Sequence, residues 1–296
     1  MIAGLQKWLV GLVAAALLWW TLACVQAGRP VTALLGPAVA LAGYAALLGI
    51  EFALLRLRPG TGPRPALVAL LRAWAGEAVA ALVVFGWRQP FRSRRWPDCL
   101  PPGAQGRTGV LLVHGFMCNR GLWNRWLERL ARDGVPVVAV DLEPVFGPIE
   151  LYAPLIEAGI AALERCTGQP PVVVAHSMGG LALRRWWVEP GNEARVLHAI
   201  TLGTPHRGTW LARFGLGFNA RQMRLGSAWL RELAAAEPAS RAGRLRCFYS
   251  DCDNIVFPPA CAVFDGAQAQ ALPGVAHVRM VDRPEPWAAL QRRLTP

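Results

Sequence analysis

Charge is sparse in this sequence. Only 17% of its 296 residues are Asp, Glu, Lys or Arg, and 19 acidic residues face 31 basic ones, for a formal net charge of +12. Lysine is nearly absent: Lys7 stands alone among arginines. A basic balance suits a polyanionic partner. No nucleic-acid module is legible, so nucleic acid is set aside as that partner, and anionic lipid headgroups take its place. Paired cysteines are missing too. The seven cysteines lie at scattered spacings, with no Cys-x-x-Cys and no Cys/His cluster. That excludes a zinc module, and no metal or cofactor is expected. No internal repeat and no long low-complexity tract is visible, which excludes a solenoid. Apolar residues are what abounds. They make up 54% of the chain, at a mean hydropathy of +0.30, and they crowd its first third.

Residues 8–28 carry no charge and include Trp8, Leu9, Leu17, Leu18, Trp19 and Trp20. A run of about 20 apolar residues crosses a bilayer as a helix. A cleaved signal peptide is the alternative, with Val25-Gln26-Ala27 as its cleavage site. A second uncharged run, 30–50, follows almost at once and favours a membrane hairpin. Arg56, Arg58 and Arg64 then lie in a Pro/Gly-rich linker. A third apolar run, 66–87, contains Arg72 and Glu77. It reads either as a third span, at about 2.5–3.5 kcal/mol per charge, or as an interfacial helix. Lys7 and the arginine linker belong on the cytoplasmic side. Two spans then leave the remainder of the chain in the cytoplasm, and three place it outside. Arg88, Arg92, Arg94 and Arg95 argue for a cytoplasmic side after the third run, so the side stays open. The division is residues 1–96 as a membrane anchor of two or three helices, 97–108 as a linker, and 109–296 as a catalytic domain.

Beyond the linker the pattern turns globular. Short runs rich in Val, Ile and Leu at 110–113, 135–140, 171–175, 196–202 and 245–250 read as strands, and 277–281 as the last one. Stretches 122–132 and 149–166 read as helices, and 286–294 as a closing helix. Strands alternating with helices make an α/β fold with a parallel, doubly wound sheet.

The pivotal stretch is Val172-Val173-Val174-Ala175-His176-Ser177-Met178-Gly179-Gly180. A buried strand runs into a serine, and small residues flank it two positions either side before a helix begins. A sharp strand-to-helix turn that exposes a nucleophilic Ser177 has these needs. The usual pattern begins with Gly; Ala175 departs from it by one methyl group. Upstream, His114-Gly115-Phe116 follows the first globular strand. The backbone N–H groups of Phe116 and Met178 are assigned as the donors to an oxyanion. The base follows by elimination, because the order in this architecture is serine, acid, histidine. His114 and His176 precede the acid and the serine, His198 sits within a strand, and His206 comes before every credible acid. His277 is left. Asp253 is the preferred acid, ahead of Asp251, with Asp265 third.

These residues resemble a known family. His114-Gly115-Phe116, Ala175-His176-Ser177-Met178-Gly179, the stretch from Thr201 through Gly203-Thr204-Pro205-His206 to Thr209, and Asp253-Asn254-Ile255-Val256 are similar to the bacterial triacylglycerol lipases and esterases of the α/β-hydrolase superfamily. The resemblance runs from Thr108 to Pro296. It implies a minimal α/β-hydrolase sheet and ester hydrolysis through an acyl-serine, with a lipid or ester as substrate. It also makes His206 a support at the site rim. The chain is therefore expected to be a membrane-anchored lipase or esterase of the bacterial inner membrane. An acyltransferase with the same triad is the alternative, as is a membrane scaffold whose hydrolase domain only binds. The oligomeric state is not legible. Residues 209–233, with Trp210, Phe214, Phe218, Met223 and Trp229 among arginines, read either as a cap over the site or as a core helix. Arg213, Arg221 and Arg224 are placed to meet lipid phosphates. Cys252 and Cys261 flank the acid's loop; an oxidising compartment would join them, and otherwise they are buried thiols.

Overall fold

The computed structural model describes residues 1–57 and 64–294. Arg58, within the basic linker read from the sequence, and the Pro/Gly run 59–63 lie outside the described residues.

Six strands form one parallel sheet: β1 (Val110–Val113), β2 (Val137–Val140), β3 (Val172–His176), β4 (His198–Leu202), β5 (Leu245–Tyr249) and β6 (Gln268–Ala271). Their order is β2-β1-β3-β4-β5-β6. The chain thus steps one way from β1 to β2 and the other way from β3 onward. The crevice beside the carboxyl ends of β1 and β3 is the switch point where such sheets bind ligands.

The strands are apolar runs because helices cover both faces. Alternate side chains divide between two cores. Leu111, Val113, Val173 and Ala175 face the helices Ala153–Thr167 and Met178–Trp187. Val110, Leu112, Val172 and Val174 face the helix Asn124–Arg132 and the closing helix Pro284–Leu294. Each fully buried aliphatic side chain contributes about 1.5–3 kcal/mol, so these two layers hold the sheet and the crevice above it rigid.

One strand lies elsewhere than expected. Residues 277–281 are not a strand; Val278–Asp282 form a 3-10 turn that presses Val278, Met280 and Val281 into the second core. The sixth strand is the polar, largely exposed Gln268–Ala271 at the sheet edge. An edge strand has one free side and needs no apolar pattern, whereas the apolar positions of 277–281 arise from packing of a turn.

The N-terminal third is helical, and three helices, Ile2–Gln26, Pro30–Leu57 and Leu67–Arg92, are long and apolar enough to cross a membrane. They differ in burial. In their most apolar 18-residue windows, 6% and 11% of the first two are buried within the protein, against 28% of the third. Trp8, Trp19, Leu34 and Val39 stand exposed on the first two. The third buries one stripe, Leu70, Ala73, Glu77, Ala81 and Val84, and exposes Val68, Leu71, Val79 and Leu82. A stripe at spacings of three and four is one helix face, and this one rests on the sheet-bearing half of the chain. Residues of the expected linker also engage the sheet: Cys99 pairs antiparallel with Val137, and Asp98 accepts from Ala139 N–H at 3.0 Å.

Candidate active site

Ser177 stands between β3 and the helix Met178–Trp187, at φ 54° and ψ −131°. A serine seldom adopts a positive φ, which costs on the order of 1–3 kcal/mol and persists only where its surroundings enforce it. The surroundings do. Ser177 N–H donates to Leu202 O at 2.8 Å, which ties the turn to β4. Gly179 lies so near β1 that a Cβ on it would sit 2.4 Å from His114 O. Ala175 is fully buried, and its methyl group is accommodated. The serine is thereby presented at the β1/β3 crevice.

The five histidines sort by environment. His114 donates from Nδ1 to Gly115 O and accepts Leu142 N–H at Nε2 (2.9 Å); burial holds it below the ordinary histidine range. His176 is pushed well down by burial and then by His277. His206 is likewise well down, by burial and the cations Arg184 and Arg207. His198 is lowered to about 4, by burial and then by Arg293 and Arg246. His277 alone is raised. Burial opposes its charged form, but the Asp253 charge and hydrogen bond outweigh that, with Glu77 and Glu51 adding to them.

Both Asp253 carboxylate oxygens lie 3.0 Å from His277 Nδ1. Oδ1 also accepts Ile255 N–H at 2.9 Å and Val256 N–H at 2.8 Å, so the carboxylate is locked in its loop. Asp251 instead caps Gly274 N–H at 2.8 Å. Asp265 pairs with Arg207. The pair lies past the end of β4, the strand whose Leu202 O holds the Ser177 N–H. A Cβ on Gly203, the residue after Leu202, would lie 3.0 Å from both Asp253 Oδ2 and His277 Nδ1.

Gly115 packs against the serine, since a Cβ there would be 2.7 Å from Ser177 Cβ. The backbone entering Phe116 therefore runs beside Ser177. Met178 is the first residue of its helix, where N–H groups have no partner within the helix. Phe116 also lines an apolar cavity of about 320 Å³ that contains Ser177. Leu211, Ala212, Phe214, Ala220, Met223 and Val256 supply further walls.

The segment after Thr209 divides between its two expected roles. Its first half, through Met223, walls that cavity and leaves Phe214, Leu216 and Phe218 exposed. Its second half, the helix Ala228–Ala235, buries Leu230 and Leu233, with Leu230 and Trp229 against the first core. The arginines expected to reach phosphates brace the segment: Arg213 stacks on Trp210, Arg221 on Phe218, and Arg224 approaches Ala212 O and Gly215 O. Cys252 and Cys261 are free, buried thiols. His206 bonds Thr201 Oγ1 at 3.1 Å, and its carbonyl accepts from Arg184, which is itself bidentate to buried Glu237.

Two further residues reach this site without a role there read from the sequence. Asn254 Oδ1 accepts His277 N–H at 3.2 Å, and Glu77 Oε1 accepts Val278 N–H at 2.9 Å. For Glu77 the available signal was a lone acid in an apolar helix, which marks a residue with a partner.

Residues 110–296 match the sequence pattern of the alpha/beta hydrolase family. No curated protein matches. Among solved structures, the mature form of a Bacillus licheniformis lipase superposes with a TM-score of 0.57 at 15% identity, covering 66% of this chain and 96% of that one. Aspergillus fumigatus lipase B gives 0.57 at 17% identity, covering 69% and 57%. A metagenomic carboxyl esterase gives 0.50 at 16% identity, covering 65% and 77%. At such identities the likeness is one of fold.

Proposed function

The chain belongs to the alpha/beta hydrolase family, and from that premise we propose that it is a membrane-anchored serine hydrolase cleaving carboxylic esters of lipids. Ser177 is the nucleophile, His277 its base and Asp253 the acid that orients and charges the imidazole. His277 takes the serine proton as Oγ attacks the ester carbonyl, and returns it to the departing alkoxide as the acyl-serine forms. Water, activated by the same imidazole, then releases the acid. The N–H groups of Phe116 and Met178 stabilise the oxyanion in both steps. The cavity walled by Leu211, Phe214 and Met223 takes the acyl chain, because its lining offers apolar contact and few polar partners.

The observation that carries this reading is the selective treatment of one histidine. Four are held low by burial, and the fifth is raised by a carboxylate bonded to its Nδ1, at the end of the strand that ties the Ser177 turn. The exposed apolar length of the first two helices, far more than a water-facing surface carries, supports the anchor. Turnover of a short p-nitrophenyl ester tests the chemistry. Ser177→Ala is expected to cut kcat by roughly 10⁴- to 10⁶-fold without unfolding the protein. Wild-type turnover in that variant would end the proposal. Retention of the full chain in the membrane fraction after a carbonate wash tests the anchor.

A further inference from the structure

Two carboxylates from the apolar N-terminal helices are turned onto the loops that carry Asp253 and His277. Glu77 is only 2% exposed. Its Oε1 accepts Val278 N–H at 2.9 Å and its Oε2 accepts Arg279 N–H at 3.3 Å. His277 N–H, the preceding donor, goes to Asn254 Oδ1 at 3.2 Å, and Asn254 Nδ2 in turn donates to Glu51 Oε2 at 2.6 Å. Three successive N–H groups opening the turn Val278–Asp282 are therefore held by side chains. Such groups have no partner within their own turn and carry partial positive charge, so a carboxylate is their strongest complement.

The packing around these bonds is equally shared. Phe52, Leu55, Leu70 and Ala73 of the helices form one buried cluster with Cys252, Phe257 and Ala276. Cys252 and Ala276 are the residues immediately before Asp253 and His277. Gly76 lets Arg279 cross the third helix closely: a Cβ there would meet its guanidinium nitrogen at 2.2 Å. A carboxylate buried in an apolar helix is costly unless its oxygens are bonded, and both Glu77 oxygens are.

We infer that Glu77 and Glu51 are positioning residues of the hydrolytic reaction, holding the His277 turn and the Asp253 loop in the register where imidazole and carboxylate meet. The N-terminal helices are on this account a working part of the active site as well as its tether. The inference rests on the triad reading given above. Misplacing a reacting group by about 1 Å costs on the order of 10²-fold in rate, which is the scale of effect at stake. The charged and titratable groups around His277 are Asp253, Glu77, Glu51 and the neighbouring ring of His176, 4.6 Å away.

The test uses the full chain in detergent micelles or nanodiscs, with a short neutral p-nitrophenyl ester. Glu77→Gln leaves one acceptor oxygen for two N–H groups. It is expected to lower kcat by about 10- to 100-fold with KM within about twofold. Glu51→Leu should also lower kcat, and Glu51→Gln, which still offers Asn254 an oxygen, should recover most of that loss. A structural role alone would lower thermal stability and leave kcat per labelled site unchanged; that result overturns the inference. Should Glu77→Gln fail to fold, equal kcat for Glu51→Leu and Glu51→Gln overturns it instead. Fluorophosphonate labelling of wild-type Ser177 separates the two readings. Absent labelling sinks the triad, whereas labelled Ser177 with unaffected variants sinks only this inference.

Discussion

The two halves of the candidate site are held by different means. The Ser177 half is local to the sheet. Its turn is fixed by the Leu202 carbonyl, by the tight fit of Gly179 against β1, and by two flanking parallel strands. The His277 half sits past the last strand, in a turn whose first N–H groups are bonded by Asn254 and Glu77, and the adjoining Ala276, Cys252 and Phe257 pack on helices some 200 residues away in sequence. One half is built by the fold's own core, and the other leans on an element from outside it.

The largest effect belongs to the pair itself. His277→Ala should approach the loss of Ser177→Ala, because triad members act as a unit. Asp253→Asn should cost roughly 10³- to 10⁴-fold in kcat, and Asp251→Asn far less, since Asp251 serves Gly274. The sign of the pH dependence follows from His277. The base is active when neutral and its pKa is raised, so the acidic limb of kcat/KM should lie above the ordinary value of about 6.5. In Asp253→Asn whatever activity survives should show that limb moved down. A limb below the ordinary histidine value in the wild type would remove the electrostatic basis for singling out this residue.

A middle-sized effect tests the cavity. Met223→Trp should fill its inner wall and leave Ser177 untouched. Long-chain p-nitrophenyl esters should then lose roughly tenfold or more in kcat/KM relative to the acetate, a loss of about 1–3 kcal/mol in apolar contacts. A uniform loss across chain lengths would place the acyl chain elsewhere.

The smallest effect concerns the surface. Arg92, Arg94 and Arg95 are exposed beside the third helix, and each basic side chain near an anionic membrane contributes about 1 kcal/mol. Raising salt from about 0.15 to 1 M shortens screening from about 8 to 3 Å. Hydrolysis of esters in anionic vesicles should fall severalfold while turnover of a soluble neutral ester holds. Equal salt sensitivity would assign those arginines to folding.

The same contrast explains what the sequence made legible. The Ser177 turn, the strands before it and the His114-Gly115-Phe116 loop were readable because their requirements are local: β-branched runs, then small residues at fixed offsets. Asp253 and His277 were readable through chain order. What held them was not. The edge strand Gln268–Ala271 has no apolar pattern, and the 277–281 run mimics a strand because its apolar residues pack beneath a turn. Glu77 looked like a cost to a membrane helix. Its partners are backbone N–H groups two hundred residues on, and no spacing rule reaches that far.

The proposal that Ser177 is the nucleophile and that His277, raised by Asp253, activates it can be tested by intact-mass and peptide analysis after fluorophosphonate treatment across pH. One adduct is expected, on the peptide bearing Ser177, forming at a rate that rises through the His277 limb and is lost in His277→Ala. An adduct on another residue, or Ser177 labelling at the wild-type rate in His277→Ala, would contradict it.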